Sequence, residues 1–106
     1  MSRIMRMPEI AALTADDIDT LVGEELTAGP LGFTGEPFRL RLLSVTRHAG
    51  GTGFRAPFSL ELLGPPSPVQ AQGTYRLAHP RLGDLDLFMV PVGASPDGVT
   101  YEITFG

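Results

Sequence analysis

Two histidines, His48 and His79, are the side chains in this sequence that ordinarily titrate near neutrality, so proton transfer or metal binding would start from them. His48 opens the Gly-rich stretch HAGGTG (residues 48–53), where a solvated ring is the ordinary reading. His79 precedes Pro80 in AHPRLG, with Asp84 and Asp86 a few residues on. The two aspartates share one parity of an extended chain, but a metal site would need His79 on that face and a further independent ligand. Turns routinely use His and Asp for local hydrogen bonds. Gly73, His79, Pro80 and Gly83 are therefore read as turn-structural, and no metal ligand is assigned.

The other chemical arrangements are weaker. Glu61 and Glu102 would form a carboxylate pair if their strands were neighbours, and glycosidases use such pairs. Each also lies on the polar parity of its strand, the usual place for a glutamate. Ser59, Ser67 and Ser95 lack the strand–turn–helix context of an activated nucleophile. GPLGFTG and HAGGTG are Gly-rich, but neither leads from a strand into a helix as a phosphate loop does. Arg39 and Arg41 make a small basic stripe on one strand face, with Glu61 expected across the sheet as its match. No catalytic residue, cofactor or cofactor-binding residue is assigned, and the chain is expected not to be an enzyme. Were it one, His79 and an aspartate would be the pair.

Composition narrows the classes further. A chain of 106 residues makes one domain with a modest core. Thirteen Gly and ten Pro suit a turn-rich β protein better than a helical one. Net charge is −4, every basic residue is Arg, and neither half concentrates positive charge, which argues against generic nucleic-acid binding. The absence of Cys excludes disulfides, thiol nucleophiles and zinc–thiolate sites. The N-terminus has no uninterrupted apolar run of signal-peptide length, and no segment reaches transmembrane length. A soluble protein, cytoplasmic by default and independent of membranes, is the expectation.

The elements that must position these residues follow from periodicity. Residues 1–12 read as a flexible leader and residues 13–106 as a single β domain. In LTADDIDTLVG, Thr14 and Asp17 stand as N-cap and capping-box acid, Leu13 and Ile18 as a hydrophobic staple, and Gly23 as the stop. A helix of about two turns follows, with Ile18, Leu21 and Val22 as its apolar stripe. Residues 24–28 give a doubtful strand. Residues 38–47, FRLRLLSVTR, alternate and then switch parity at Leu43 and Val45, which predicts a β-bulge or burial on both sides. Further strands fall at 54–63, 73–78, 84–92 and 99–105, joined by the Pro-rich loop 64–70 and the turn 93–98. The strand after Gly83 begins one-sided and becomes apolar on both faces from Phe88 to Val92, which predicts burial on both. The fold class is therefore all-β and mainly antiparallel. A small partly closed barrel or two-layer sandwich of five to six strands is expected, with one short N-terminal helix plugging an end or covering an edge and the last three strands in a meander.

LTADDIDTLVG, PFSLELLGP, QGTYRLAHPRLGDLDLFMVPVG and YEITF, in that order, resemble a family of small bacterial domains of unknown function. The resemblance covers residues 13–106 and is carried by Gln72, Gly73, Tyr75, His79, Pro80, Gly83, Phe88, Pro91 and Tyr101. The leader and GPLGFTG are less typical of it. It brings no catalytic residues, and it implies a setting beside phage-tail-like or surface-assembly proteins. The expected function is thus a non-enzymatic structural or protein-interaction module, a small component of a larger assembly or a self-associating unit. Leu31, Phe33, Phe54 and Val69 are its candidate interaction residues, and unpaired strand edges are the expected attachment route. The alternative is a small-ligand or carbohydrate-binding β domain with an aromatic rim of Phe33, Phe54 or Tyr75.

Overall fold

The structure, a computed structural model, describes residues 13–30, 36–49 and 57–106. Helix α1 (Ala15–Asp19) precedes six strands: β1 (Glu25–Pro30), β2 (Phe38–Arg47), β3 (Phe58–Gly64), β4 (Gly73–His79), β5 (Gly83–Ser95) and β6 (Gly98–Phe105). All neighbours pair antiparallel, in the order β1-β2-β3-β6-β5-β4, and β4 returns to β1 through Thr27↔Ala78 and Ala28↔Leu77 to close a barrel. Of the two architectures expected, the barrel forms, and it closes fully. The last three strands make the expected meander.

Local sequence explains most of the strand boundaries. β2 alternates burial up to Leu42, and the parity switch is a bulge, with the register shifting between Leu42 and Ser44 and Leu43 turned outward at 40% exposure. The doubtful first strand is real and runs on to Pro30. The segment 93–98 is shorter as a turn than its composition suggests: β5 continues to Ser95 and β6 starts at Gly98. Gly98 (φ 150°) takes a backbone conformation that side chains disfavour, so the tight reversal depends on glycine.

Inward-facing side chains fill the barrel. Leu40, Leu42, Leu62, Leu77, Met89, Tyr101 and Ile103 are buried. Phe58 and Phe105 stack at 4.5 Å between ring centres near the helix end, while Phe38 meets Tyr75 edge-on at 5.8 Å near the other. Such packed aromatic pairs contribute beyond their buried area. Beneath α1, among the described residues, the core leaves a void of about 10 Å³ lined by apolar groups such as Ile18, Leu21 and Leu60. That is at the lower limit for a single water.

The capping box forms as expected: the Thr14 amide donates to Asp17 Oδ2 at 2.9 Å and the Asp17 amide to Thr14 Oγ1 at 3.3 Å. The helix is shorter than two turns, ending at Asp19 and continuing as a turn to Gly23. Leu13, Ile18 and Leu21 are buried, but Val22 is 43% exposed, so the apolar stripe is one residue narrower than its spacing implies. A five-residue helix has little stability of its own. The chain after it is held by backbone bonds from Gly23 N to Leu42 O and from Leu42 N to Glu24 O, and Arg47 pairs with Asp16 and Asp19. The helix end of the barrel is thereby closed.

At the opposite end, the connection from β3 to β4 must join strands on opposite sides of the ring, so residues 65–72 cross the mouth. Two phenols fasten it: Gln70 N donates to the Tyr101 hydroxyl at 2.8 Å, and the Tyr75 hydroxyl donates to Ala71 O at 2.5 Å. Burial also pushes the Tyr75 phenol pKa up, as desolvation of a phenolate requires.

Candidate functional site

A closed, filled barrel offers its outside, and the outer face of β5 is where this chain departs most from ordinary patterning. Asp84, Asp86, Phe88, Val90 and Val92 share that face. Phe88 is 54% and Val92 51% exposed. The expected burial of both β5 faces is thus corrected: Met89, Leu87 and Leu85 enter the core, while no described element covers the outer side. The register shift between Pro91 and Gly93 makes Val92 the extra residue of a bulge, which holds it on the same side as Phe88.

Cross-strand neighbours frame this apolar stripe with charge. On the β4 side, Arg76 lies opposite Asp86 and binds it with two bonds, Nε to Oδ1 at 2.8 Å and an Nη to Oδ2 at 3.1 Å. Those bonds hold the Asp86 carboxyl below its ordinary value. On the other side Glu102 lies directly opposite both Val90 and, across β3, Glu61. The pairing of Glu61 with Glu102 that the sequence allows is therefore realised, on a convex outer surface rather than in a cleft. Like charges directly opposite each other destabilise a sheet. Four carboxylates (Asp84, Asp86, Glu61, Glu102) against one guanidinium (Arg76) leave this face three charges negative.

The His79 turn is a second cluster, and a structural one. The ring is buried, its side chain 3% exposed. Nδ1 accepts the Arg81 amide at 3.0 Å, which leaves the proton on Nε2 to be donated to Glu24 Oε1 at 2.8 Å. An Arg81 Nη binds Glu24 Oε2 at 2.5 Å, and hydrogen bonds from His79 and Arg81 lower the Glu24 pKa. Asp84 and Asp86 do not approach His79; they face outward on β5. Gly83 (φ 76°) needs glycine to complete the turn, Pro80 is exposed within it, and Gly73 shows no close contact that demands glycine. Among the described residues no group of three or more His, Asp or Glu is placed to hold a metal ion.

His48 is exposed but not idle: Nε2 lies 2.8 Å from Ser59 Oγ, which in turn is 3.5 Å from Thr104 Oγ1. Ser59 is buried beneath it. The Ser59 hydroxyl is thus engaged by His48 on one side and Thr104 on the other. One signal for it was legible in advance, since Ser59 and Thr104 occupy polar parities of strands that prove adjacent.

The other named candidates divide plainly. Leu31, Phe33 and Phe54 lie outside the described residues. Val69 is 58% exposed in the connection across the barrel mouth. Tyr75 is buried and anchors that connection, so it does not belong to an exposed aromatic rim. Arg41 stands opposite Leu63 and Glu25, whereas Glu61 stands opposite Ser44, beyond the bulge; Glu61 is therefore not the match of the basic stripe. Arg39 instead reaches Glu25 at 3.5 Å.

Fold and surface together define an all-β barrel domain whose interior is filled by side chains and whose β5 strand carries an exposed apolar face. The chain belongs to the family described as Domain of unknown function (DUF6916), whose match spans residues 13–105. No curated protein and no solved structure matches it. No described helix is long and apolar enough to cross a membrane.

Proposed function

We propose that this domain is a non-enzymatic interaction module, a small component of a larger assembly, and that it holds a protein partner on the outer face of β5. One observation carries the reading: Phe88 and Val92 are each more than half exposed on a strand whose sequence is apolar on both sides. Aromatic side chains of this kind serve as anchors at interfaces. Closure of the barrel removes free strand edges, so the partner is recruited by side chains rather than by strand addition.

Charge selects the partner's chemistry. The acidic frame of Asp84, Asp86, Glu61 and Glu102 suits an apolar segment flanked by Arg or Lys. Two copies of this face would bring like charges together, which disfavours a symmetric self-contact here.

The test is purification of the tagged chain from its native host, beside Phe88→Ser and Glu61→Gln variants, followed by reassembly with the purified partner. The reading expects a stoichiometric, basic-flanked partner that is lost with Phe88→Ser, binds more weakly to Glu61→Gln and is released by salt. A partner retained by Phe88→Ser at equal affinity would remove β5 from the interface. A chain that comes out alone would remove the module reading itself.

A further inference from the structure

A second surface feature, on the opposite side of the ring from β5, carries a different function. An open groove of about 290 Å³ runs over the ends of β2 and β3 beside the β5–β6 turn, lined by Glu25, Arg39, Arg41, Gly64, Pro65 and Asp97, among others. It is shallow and largely open to solvent, so a ligand there would be held by its charged ends rather than by enclosure.

The charges in it are unevenly satisfied. Arg39 reaches Glu25, Arg47 reaches Asp16 and Asp19, Arg76 reaches Asp86, and Arg81 reaches Glu24. Among the described residues Arg41 is the arginine without a carboxylate in ion-pair contact, although Glu25 lies opposite it in the ladder. Asp97 bonds through its backbone, donating from the amide to Ser95 Oγ at 3.2 Å, and its carboxylate meets no cation among the described residues. Among the described residues, a guanidinium and a carboxylate outside any ion pair thus line one groove without pairing with each other.

The floor between them is fixed by close backbone packing. A Cβ on Gly98 would stand 2.1 Å from Gly64 O, and one on Gly64 would stand 3.0 Å from the Tyr101 ring and 3.2 Å from Leu40. The backbones of β3 and β6 approach at this point as only a glycine at position 98 allows, which sets Asp97 beside the β3 end, while Gly64 leaves room for the Tyr101 and Leu40 side chains in the core. Preformed geometry reduces the ordering cost of binding.

We propose that this groove binds a small zwitterion, an amino acid or a short peptide-like molecule. Its carboxylate would be taken by Arg41 with Arg39 beside it, and its ammonium group by Asp97. The guanidinium fork matches a carboxylate's two oxygens, and Asp97 offers acceptors to an ammonium donor. A ligand with one charge would leave the opposite wall unmatched.

The experiment is an NMR titration of the ¹⁵N-labelled full chain with 6-aminohexanoate and with glycylglycine, using acetate and ethylammonium as one-ended controls. Saturable shifts of the Gly64, Asp97 and Gly98 amides are expected with at least one zwitterion, at an affinity about tenfold or more above either control, as loss of one charged hydrogen bond predicts. Arg41→Gln and Asp97→Asn should each weaken binding by about tenfold, with an unchanged melting temperature because both side chains are exposed. Absence of saturable shifts with both zwitterions, equal binding of acetate, or unaltered affinity in Arg41→Gln would each overturn the proposal. Phe88→Ser should leave the titration unchanged, which separates this site from the β5 face.

Discussion

Replacing His79 separates a structural turn from a chemical site. The ring is buried and takes part in two bonds that face opposite ways: Nδ1 receives the Arg81 amide and Nε2 donates to Glu24. His79→Ala abolishes both and opens space against the apolar residues under α1, Leu82 and Leu85 among them. The neutral turn bond is worth about 1 kcal/mol. Loss of a buried ring, with partial collapse of the space it leaves, adds about 2 kcal/mol. The total, about 3 kcal/mol, corresponds to a melting temperature lowered by about 15 °C in a domain of this size.

Two further variants divide the effect. His79→Asn places an amide oxygen near the position of Nδ1, so it should keep the turn bond and lose the link to Glu24. His79→Gln places an NH₂ near the position of Nε2, so it should keep the link and lose the turn bond. Both should fall between wild type and His79→Ala in urea unfolding. Combining His79→Gln with Glu24→Gln should show coupling that His79→Asn with Glu24→Gln does not. A His79→Ala variant that unfolds at the wild-type urea concentration would refute the structural assignment. A binding or catalytic defect at unchanged stability would show that the ring serves chemistry after all.

Gly98→Ala places a methyl group against Gly64 O at a positive φ, and should destabilise the domain by about 2 kcal/mol or more in thermal unfolding, whereas Gly73→Ala should change it little. Acid should weaken the fold through Glu24 and Asp86, both held below their ordinary values by their cationic or hydrogen-bonding partners. A carboxyl whose folded pKa is depressed lends stability above its unfolded value and loses it as pH falls through the folded one. Urea midpoints should therefore be level near neutrality and drop below about pH 4. Glu24→Gln with Asp86→Asn should flatten that drop; an unaltered acid limb would show that these pairs do not form in solution.

Where the physics is local, the residues themselves announce it. The Thr14–Asp17 capping box needs only the short segment it spans, and the β2 bulge shows directly as a change of apolar parity after Leu42. β1 is marginal by pattern because ELTAGP has a short alternating run and ends in Gly-Pro, and what makes it a strand is pairing with both β2 and β4. The links of His79 to Glu24 and of Tyr101 to Gln70 span 55 and 31 residues, so only the barrel's topology brings them together. The expected match between the Arg39–Arg41 stripe and Glu61 fails for a related reason: the long-range register of β2 on β3 sets Leu63 opposite Arg41 and leaves Glu61 further along, opposite Ser44.

Phe88 to Val92 is the most informative disagreement. Patterning alone cannot distinguish a face buried by the same chain from one left for another molecule, because both select apolar side chains. The fold separates them. Among the described residues no further strand or helix lies over β5, and Phe88 and Val92 stand more than half exposed there. On the reading proposed above, the acidic frame of this face would act as a filter. Glu61 opposite Glu102 costs the isolated sheet stability, and a cationic group laid across the two relieves that cost. On the proposed reading, apolar contact would supply the attraction and the carboxylates would decide which apolar surfaces are admitted.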